Sequence, residues 1–177
     1  MQKHFQESLK QWQNNGGNNM REILFKAKRL DNGEWKEGNL VQSNDAEEDY
    51  KTIIIPNTDA DMFVDGCVYQ DLGFEKWHIV DQSTICQYTG LTDKTKNKAY
   101  ENSIIKVITE NEFGVIKYGE YANPFDNSSV KHIGFYVEWQ NKTRTNLWRK
   151  DLGYWLNDTT IIVGNIFDNA ELLEGCE

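Results

Sequence analysis

Three aspartates are candidates for metal-dependent chemistry, because carboxylate oxygens are the ligands that Mg²⁺ and Ca²⁺ prefer in proteins. Asp59, Asp61 and Asp65 lie close together in the sequence, directly after a predicted strand. The glycine and the terminal glutamate of an EF-hand loop are missing from this stretch. The sequence therefore favours a solvated acidic loop here, and a carboxylate-dependent metal enzyme is the third of the functions considered.

Cysteine and histidine, which often carry metal or nucleophilic chemistry, are few and scattered. They are Cys67, Cys86, Cys176, His4, His78 and His132. No CxxC, HxxxH or HxH spacing occurs, so we predict no zinc site and no cofactor. Widely spaced cysteines without a signal peptide indicate reduced thiols in a cytoplasm. Cys86 is predicted to be a small buried apolar residue and not a nucleophile.

A basic and aromatic stretch is the strongest candidate for a binding site. Residues 130–150 carry five lysines and arginines against Glu138, a net charge of +4. The candidate binding residues are Trp139, Lys142, Arg144, Trp148, Arg149, Lys150 and Trp155, with Tyr154 beside the last of them. Three interpretations stay open: tryptophans in the core with a charged rim, a hot spot of a protein interface, or a surface that stacks bases and contacts phosphates.

Acidic residues dominate the chain as a whole. The net charge is −9, and residues 45–75 hold nine acidic residues against one lysine, a net charge of −8. This balance argues against a general DNA-coating role and allows an acidic decoy that mimics nucleic acid. If the acidic and basic stretches are both exposed, they can meet between subunits, and we therefore expect a homo-oligomer.

These candidates must be positioned mainly by β-strands, because short alternating runs separated by turn formers fill the sequence. Ile23, Phe25 and Ala27 alternate with charged residues, and Asn32-Gly33 is a strong hairpin signal. Further strands are predicted at 52–55, 77–80, 83–91, 103–109, 113–119, 132–139, 152–156 and 159–167, and a strand or hairpin around Gly66 is predicted within 61–73. The predicted fold is mainly β (a β-dominated α+β fold) of short twisted hairpins, with an SH3-like small barrel in the C-terminal half and short N- and C-terminal helices.

Residues 1–19 differ in composition from the rest. They are rich in Gln and Asn, end around Gly16-Gly17, and place Phe5, Leu9 and Trp12 on one face of a short predicted helix. We interpret them as an N-terminal extension, either a native helical arm or a misannotated segment ahead of a true start at Met20. Residues 20–177 are predicted to form one domain, with a division near residue 100 as the alternative.

Three stretches resemble the YopX-like family of phage and prophage proteins. The first runs from Met20 through GEWKEGNLV at 33–41, and the third is VGNIFDN at 163–169. The second is the most specific, and its signature residues are Gln87, Tyr88, Thr89, Gly90, Leu91, Asp93, Tyr100 and Glu101. The family's usual Gly-Asp is replaced here by Asn102-Ser103, which argues against a catalytic role for this loop. The resemblance runs from residue 20 to about residue 174; it implies a phage or prophage gene and a mainly β fold, and it carries no activity that can be transferred.

The function predicted from all of this is a non-enzymatic interaction or assembly protein of a phage or prophage, acting in the host cytoplasm. Its expected partners are further copies of itself and an unknown phage or host protein. The first alternative is a nucleic-acid-binding regulator that uses the basic-aromatic residues 139–155. No apolar run approaches the length of a membrane span, so no membrane partner is expected.

Overall fold

The computed structural model of the chain describes residues 22–44, 51–57, 62–65, 71–127, 129–141, 147–156 and 158–174. Strands hold 49% of the described residues and helices 10%, which confirms the mainly β prediction. Within these ranges no helix is long and apolar enough to span a membrane. The predicted N-terminal helix and extension at residues 1–19 lie outside the described residues.

The described strands form three antiparallel sheets. In chain order they are β1 (Phe25–Lys28), β2 (Trp35–Gln42), β3 (Thr52–Pro56), β4 (Met62–Asp65), β5 (Asp71–Phe74), β6 (His78–Ile79), β7 (Cys86–Thr92), β8 (Lys98–Tyr100), β9 (Ser103–Val107), β10 (Phe113–Tyr121), β11 (His132–Trp139) and β12 (Thr160–Asn165). The first sheet has the order β6-β3-β2-β1-β7-β8, the second has the order β11-β10-β9-β12, and β4 with β5 makes the third.

The β1–β2 hairpin forms where the sequence predicts it. All four residues of β1 pair antiparallel with β2, and Gly33 takes a φ of +72° in the connecting turn. A left-handed backbone angle favours glycine, so the Asn32-Gly33 pair sets this hairpin. Further along β2, the backbone of Gly38 approaches β3 so closely that a Cβ would lie 2.1 Å from the Ile55 carbonyl oxygen.

The first sheet buries apolar side chains on both faces, because alternate residues of a strand point to opposite sides. One face carries the buried cluster Ala27, Ile54 and Val80, with Leu40 and Ile85 packed against it. The other face carries Leu24, Cys86, Tyr88 and Tyr100, with Trp35 and Phe167 packed against them. Phe167 follows β12, so this second cluster also holds the two large sheets together.

The second sheet packs its core face against a short helix, α1 (Leu152–Trp155). The buried cluster there consists of Ala99, Ile105, Val107, Ile116, Val137, Trp139, Leu152 and Trp155. The prediction of a strand at 152–156 is wrong. Leu152 and Trp155 are one helical turn apart, and a helix lets both side chains reach the same core, which a strand with alternating faces would not do.

Asn102 joins the two large sheets. The first sheet ends at Tyr100 and the second begins at Ser103. Asn102 has a φ of +63°, donates its backbone N–H to the Ile116 carbonyl oxygen and accepts a bond from the Ile166 N–H. Its Oδ1 also accepts from the Lys117 ammonium at 3.2 Å. The division of the chain into two domains near residue 100 stays a prediction.

The second sheet is open over the described residues, whereas the sequence predicts a small SH3-like barrel. Closure would require β11 to meet β12 at the ends of the order β11-β10-β9-β12. The outer edge of β11 is instead covered by residues 150–151, since the Val137 N–H donates to the Lys150 carbonyl oxygen at 2.8 Å. The outer edge of β12 is met by Asp93, which accepts from the Ile162 N–H at 2.9 Å.

The predicted short C-terminal helix is present as a single 3₁₀ turn. It spans Ala170–Leu173 and begins after Asn169. Asn169 turns its Oδ1 back towards the end of β12, where it accepts from the Asn165 N–H at 3.2 Å. The turn therefore closes the end of β12 and does not form a separate helical element.

Candidate functional site

An open groove of about 400 Å³ lies where the α1 region meets the loop between β10 and β11. Its lining residues are Phe125, Leu147, Trp148, Arg149, Tyr154 and Trp155. Phe125 is 66% exposed and Tyr154 is 52% exposed, so both walls are open to a ligand. The lining is aromatic and apolar, with Arg149 as its charged group.

Trp148 and Trp155 form the floor of this groove, and Trp139 packs beneath them. The rings of Trp139, Trp148 and Trp155 contact one another with centroids 4.7, 4.9 and 5.0 Å apart. The indole N–H groups of Trp139 and Trp155 both donate to the Arg149 carbonyl oxygen, at 3.3 and 2.7 Å. Two indoles therefore hold the backbone of Arg149, and these bonds do not depend on its side chain.

The guanidinium of Arg149 lies between the two exposed walls. Its Cζ is 5.6 Å from the ring centroid of Phe125 and 5.8 Å from that of Tyr154. Cation–π contacts of this kind orient an arginine while leaving its N–H donors available. Nη1 is also 3.8 Å from Oδ2 of Asp151. A carboxylate of a ligand in the groove would find an oriented partner in this guanidinium.

Asp151 fixes the α1 region to the end of β10. Its carboxylate accepts from the Tyr121 hydroxyl at 3.1 Å and from the Asn123 amide at 2.9 Å. Asn123 in turn accepts from the Lys150 backbone N–H at 2.7 Å. Burial and the nearby Asp151 charge raise the pKa of Tyr121 to about 12, so its hydroxyl stays protonated and keeps donating. The Asp151 contacts thereby position the groove against Phe125.

The predicted binding residues fall into three positions. Trp148, Arg149 and Trp155 line the groove. Trp139 is only 3% exposed and lies beneath it, because its ring packs into the core of the second sheet. Lys150 contributes the backbone bonds that cover β11, and Lys142 and Arg144 lie outside the described residues.

Two groove residues were not predicted from the sequence, Phe125 and Leu147. Phe125 follows Pro124 within a polar loop, and an isolated aromatic residue in such a loop is a usable signal for an exposed contact. Leu147 immediately precedes Trp148, and nothing in its own spacing marks it. Phe125 and the α1 region are far apart in the sequence, so local sequence patterns do not predict the groove. It forms only when the β10–β11 loop folds onto residues 147–155.

Among the signature residues, Asp93 makes the longest-range contacts. Its Oδ1 accepts from the backbone N–H groups of Thr95 and Asn97 and from the Thr95 hydroxyl, at 2.7 to 3.0 Å. Its Oδ2 accepts from the Ile162 N–H in β12. Burial opposes ionisation, but these donors outweigh it and lower the pKa of Asp93. The residue is structural, because every contact closes a turn or ties β12 to it.

The neighbouring signature residues shape the β7–β8 hairpin. The Thr89 hydroxyl donates to the Ala99 carbonyl oxygen at 2.9 Å and accepts from the Leu91 N–H at 3.2 Å. Gly90 has a φ of +86° where the register between β7 and β8 shifts. A residue with a side chain would be strained there, so the Thr-Gly-Leu order encodes a bulge.

Tyr100, at the end of this hairpin, lies in a half-buried polar and aromatic cluster. Its hydroxyl donates to the Glu37 carboxylate, and its ring stacks obliquely on Tyr88 with centroids 5.4 Å apart. The Lys26 ammonium lies 4.7 Å from the Tyr100 ring and 4.8 Å from the Trp35 ring. Burial and the Glu37 carboxylate raise the pKa of Tyr100 well above its usual range.

Two further signature residues, Gln87 and Glu101, meet through the backbone. The Glu101 N–H donates to the Gln87 carbonyl oxygen at 2.9 Å, which closes the chain at the joint between the sheets. Burial raises the pKa of the Glu101 carboxyl. Gln87 itself pairs with Phe25 of β1. The backbones of both residues therefore contribute to the hydrogen bonding of the first sheet and its end.

Cys86 is buried, as the sequence predicts. It is fully enclosed in β7, and burial raises the pKa of its thiol to about 11. A thiol that stays protonated at neutral pH is a poor nucleophile. Cys86 therefore acts as a small apolar side chain in the core of the first sheet.

Metal ligands are not clustered in the part of the chain that the structure describes. No group of three or more His, Cys, Asp and Glu side chains there could hold a metal ion. Asp59 and Asp61 lie outside the described residues, and β4 ends at Asp65. The predicted acidic loop is thus not described by the structure, and the carboxylate-enzyme alternative stays a prediction.

In comparison with known protein families, the family model described as YopX protein matches residues 24–174, which is most of the chain. No curated protein matches the chain. The matched range includes the β1–β2 hairpin, the signature residues of β7 and β8, and the groove.

Proposed function

Since the chain belongs to the YopX protein family, which points to a phage-type protein of unclear function, we propose that it is a non-enzymatic interaction protein of a phage or prophage. It acts in the host cytoplasm, and the aromatic groove at residues 147–155 is its docking surface. The groove takes a segment of a partner protein that carries an apolar anchor next to a carboxylate.

The composition and geometry of the groove carry this proposal. Binding energy at protein interfaces concentrates in tryptophan, tyrosine and arginine held in preformed pockets. Here Trp148 and Trp155 form the floor, Tyr154 forms a wall, and Arg149 is oriented by two aromatic rings. Because the Phe125 and Tyr154 rings already orient the Arg149 guanidinium, less side-chain entropy is lost on binding.

The occupant that we propose is the acidic segment of a second copy. Residues 43–51, SNDAEEDYK, combine four carboxylates with Tyr50 as an anchor. They belong to the acidic stretch 45–75, while the groove lies next to the basic stretch 130–150. Opposite charges on two surfaces of one chain favour head-to-tail contacts between copies, which generate rings or filaments.

Light scattering on the full chain tests the docking contact. We expect an assembly larger than a dimer at low salt that shrinks at about 1 M salt, where the Debye length falls to about 3 Å. Arg149→Glu should abolish the salt-dependent part, because it places a like charge against the acidic segment. Lys76→Glu makes the same charge change at an exposed loop position and should leave the assembly intact. Loss of assembly in both variants, or in neither, would contradict the proposal.

A peptide of residues 43–51 tests the occupant directly. At low salt we expect it to change the tryptophan fluorescence of the chain saturably, and to bind at least tenfold more weakly to a Tyr154→Ala variant. A scrambled peptide of the same composition is the control. Equal binding of both peptides would show that charge alone is recognised and would remove Tyr50 as the anchor.

Nucleic acid is the alternative ligand for the same groove. The Arg149→Glu variant also distinguishes this alternative from protein docking. Arginine stacked with aromatic rings also suits single-stranded nucleic acid. Asp151 beside Arg149 and the net charge of −9 oppose that reading. If single-stranded DNA binds the chain at moderate salt and Arg149→Glu removes this binding while assembly persists, the regulator is correct and the protein-docking proposal is wrong.

A further inference from the structure

The hairpin of β10 and β11 extends beyond the second sheet. The two strands pair from Gly114↔Trp139 out to Tyr121↔His132. β9 pairs with β10 only at Phe113–Val115. Asp151 bridges to Tyr136, the partner of Lys117, on the outer edge of β11. Beyond this pair, over the described strands, β10 and β11 therefore form a two-stranded ribbon. Two-stranded ribbons are marginal in water unless a face is covered.

One face of this ribbon continues the core outwards. Ile116 and Val137 are fully buried and lie opposite each other in the register. The next pair outwards on the same face is Tyr118↔Phe135, whose rings meet edge-to-face with centroids 5.1 Å apart. Tyr118 is 56% exposed, and Ile133, beyond it, is 76% exposed. We call Tyr118, Ile133 and Phe135 the ribbon patch.

The opposite face of the ribbon is covered by its own side chains. Tyr121 stacks between His132 and Tyr136 with centroids 5.2 and 5.1 Å apart. The Tyr121 hydroxyl is anchored to Asp151. On the described strands β10 and β11, the large apolar side chains that stay exposed are Tyr118 and Ile133 of the ribbon patch, and such exposure marks an interaction surface.

Charges at the rim indicate which partner fits. Glu120 lies opposite Ile133 in the register, and its carboxylate is 2.9 Å from the Lys131 ammonium. Both side chains are more than half exposed, so this ion pair contributes little within one copy and can exchange partners at low cost. An apolar centre with one charge of each sign at its rim is complementary to itself about a two-fold axis.

We propose that the ribbon patch binds the ribbon patch of a second copy in an isologous dimer. Ile133, Tyr118 and Phe135 of the two copies pack across the axis. Glu120 of each copy meets Lys131 of the other at the rim. This contact is apolar at its centre and so is insensitive to salt, which separates it from the proposed groove contact.

Light scattering of the full chain at about 1 M salt tests this dimer, because screening removes the groove contact there. We expect the wild type to be a dimer and Ile133→Glu to dissociate at least tenfold more readily. Leu30→Glu makes the same change at a comparably exposed apolar residue in the β1–β2 turn and should remain dimeric. A monomeric wild type at high protein concentration, or a dimeric Ile133→Glu, would overturn the proposal.

A charge exchange at the rim distinguishes the stated geometry from loose apolar association. Lys131→Glu should weaken the dimer, and the double variant Glu120→Lys, Lys131→Glu should restore it. Thermal melts of all variants confirm folding, and the substituted side chains are exposed. Dissociation of the double variant to the level of Lys131→Glu would show that Glu120 and Lys131 do not meet. Arg149→Glu should leave this dimer unchanged, so failure of the groove proposal does not affect the result.

Discussion

The carboxylate of Asp93 accepts four hydrogen bonds and is almost fully buried. Three of these bonds close the turn between β7 and β8, and the fourth reaches the Ile162 N–H in β12. These bonds of Asp93 organise the backbone of the signature stretch and tie it to β12. This agrees with the replacement of the family's Gly-Asp by Asn102-Ser103, where Asn102 supplies the positive φ that glycine would otherwise provide.

Replacement of Asp93 by alanine should destabilise the protein strongly. The Thr95, Asn97 and Ile162 N–H groups would lose a buried acceptor. Water can replace it at the exposed Thr95 and Asn97, whereas a buried donor left unsatisfied costs about 1–3 kcal/mol. We expect the free energy of unfolding, measured by urea denaturation, to fall by about 2–4 kcal/mol. Asp93→Asn keeps one acceptor oxygen and should lose less.

Asp31→Ala is the matched control for Asp93. That carboxylate pairs with Arg29 at the exposed β1–β2 turn. Surface pairs contribute little, so its urea midpoint should stay near the wild-type value. Equal destabilisation of the two variants would assign Asp93 an ordinary surface role.

At the scale of elements, the β2–β3 pair depends on the absence of a side chain at residue 38. A Cβ on Gly38 would lie 2.1 Å from the Ile55 carbonyl oxygen, a backbone atom that cannot move without breaking the pair. We expect Gly38→Ala to lower the free energy of unfolding by about 2 kcal/mol or more. Gly134→Ala, where a Cβ meets open space, should change it by less than about 0.5 kcal/mol. Urea denaturation at low protein concentration measures both, and similar losses would refute the steric explanation.

Asp168 joins the first sheet to the turn after β12. Its carboxylate pairs with the Lys28 ammonium and accepts from the Trp35 indole at 2.6 Å and the Asn165 amide at 2.9 Å. Burial alone would raise its pKa, but the Lys28, Asn165 and Trp35 donors lower it from 3.8 to about 2. A pKa lowered by folding means that the folded state holds the ionised form more tightly than the unfolded chain.

The Asp168 contribution to stability should therefore be complete above about pH 4 and should disappear as the pH falls towards 2. Because the side chain is partly exposed, solvent screening reduces the contribution to about 1 kcal/mol. We expect Asp168→Asn to be less stable than wild type at pH 7 and equally stable near pH 2 in urea denaturation. Lys28→Gln removes one of the donors to Asp168, so its free energy of unfolding at pH 7 should lie between those of the wild type and Asp168→Asn. A stability difference that does not change with pH would show that Asp168 acts only by packing.

Local sequence patterns predicted individual strands and turns far better than whether the second sheet closes into a barrel. The Asn32-Gly33 turn and the alternation at Phe25 and Ala27 fix the β1–β2 hairpin from within a few residues. The barrel prediction failed because edge pairing depends on residues far apart, here Asp93 with β12 and Lys150 with β11. The strand predicted at residues 152–156 is instead a helix over Leu152–Trp155. Packing of Leu152 and Trp155 in one core outweighs the β propensity of tyrosine and tryptophan.

At the scale of the whole molecule, the groove illustrates what sequence reasoning could and could not supply. Trp148, Arg149 and Trp155 were identified by their types and their density in the chain. Phe125 was not, because its position over Arg149 follows from the Asn123 and Asp151 contacts that fold the loop back. Trp139 is buried, which fits the interpretation of the tryptophans as core residues, and the register of β11 decides which of several neighbouring tryptophans is buried.

The two proposed contacts make a joint prediction about assembly. The groove contact is heterologous, joining different surfaces of two copies, whereas the ribbon contact is isologous. A chain with both contacts should grow with protein concentration at low salt. Arg149→Glu should give a dimer at every salt concentration, because only the ribbon contact remains. Ile133→Glu should assemble at low salt and become monomeric at about 1 M salt.

The double variant Arg149→Glu, Ile133→Glu should be a folded monomer under both conditions. Ile133 lies on β11 and Arg149 lies just before α1, so the effects of the two substitutions should add. Light scattering gives the mass, and thermal melting confirms the fold. If the double variant still assembles, a third surface joins the copies and neither proposed contact is sufficient to explain assembly. If Arg149→Glu alone is already monomeric at low salt, the ribbon dimer does not form without the groove contact, and the two contacts are one interface.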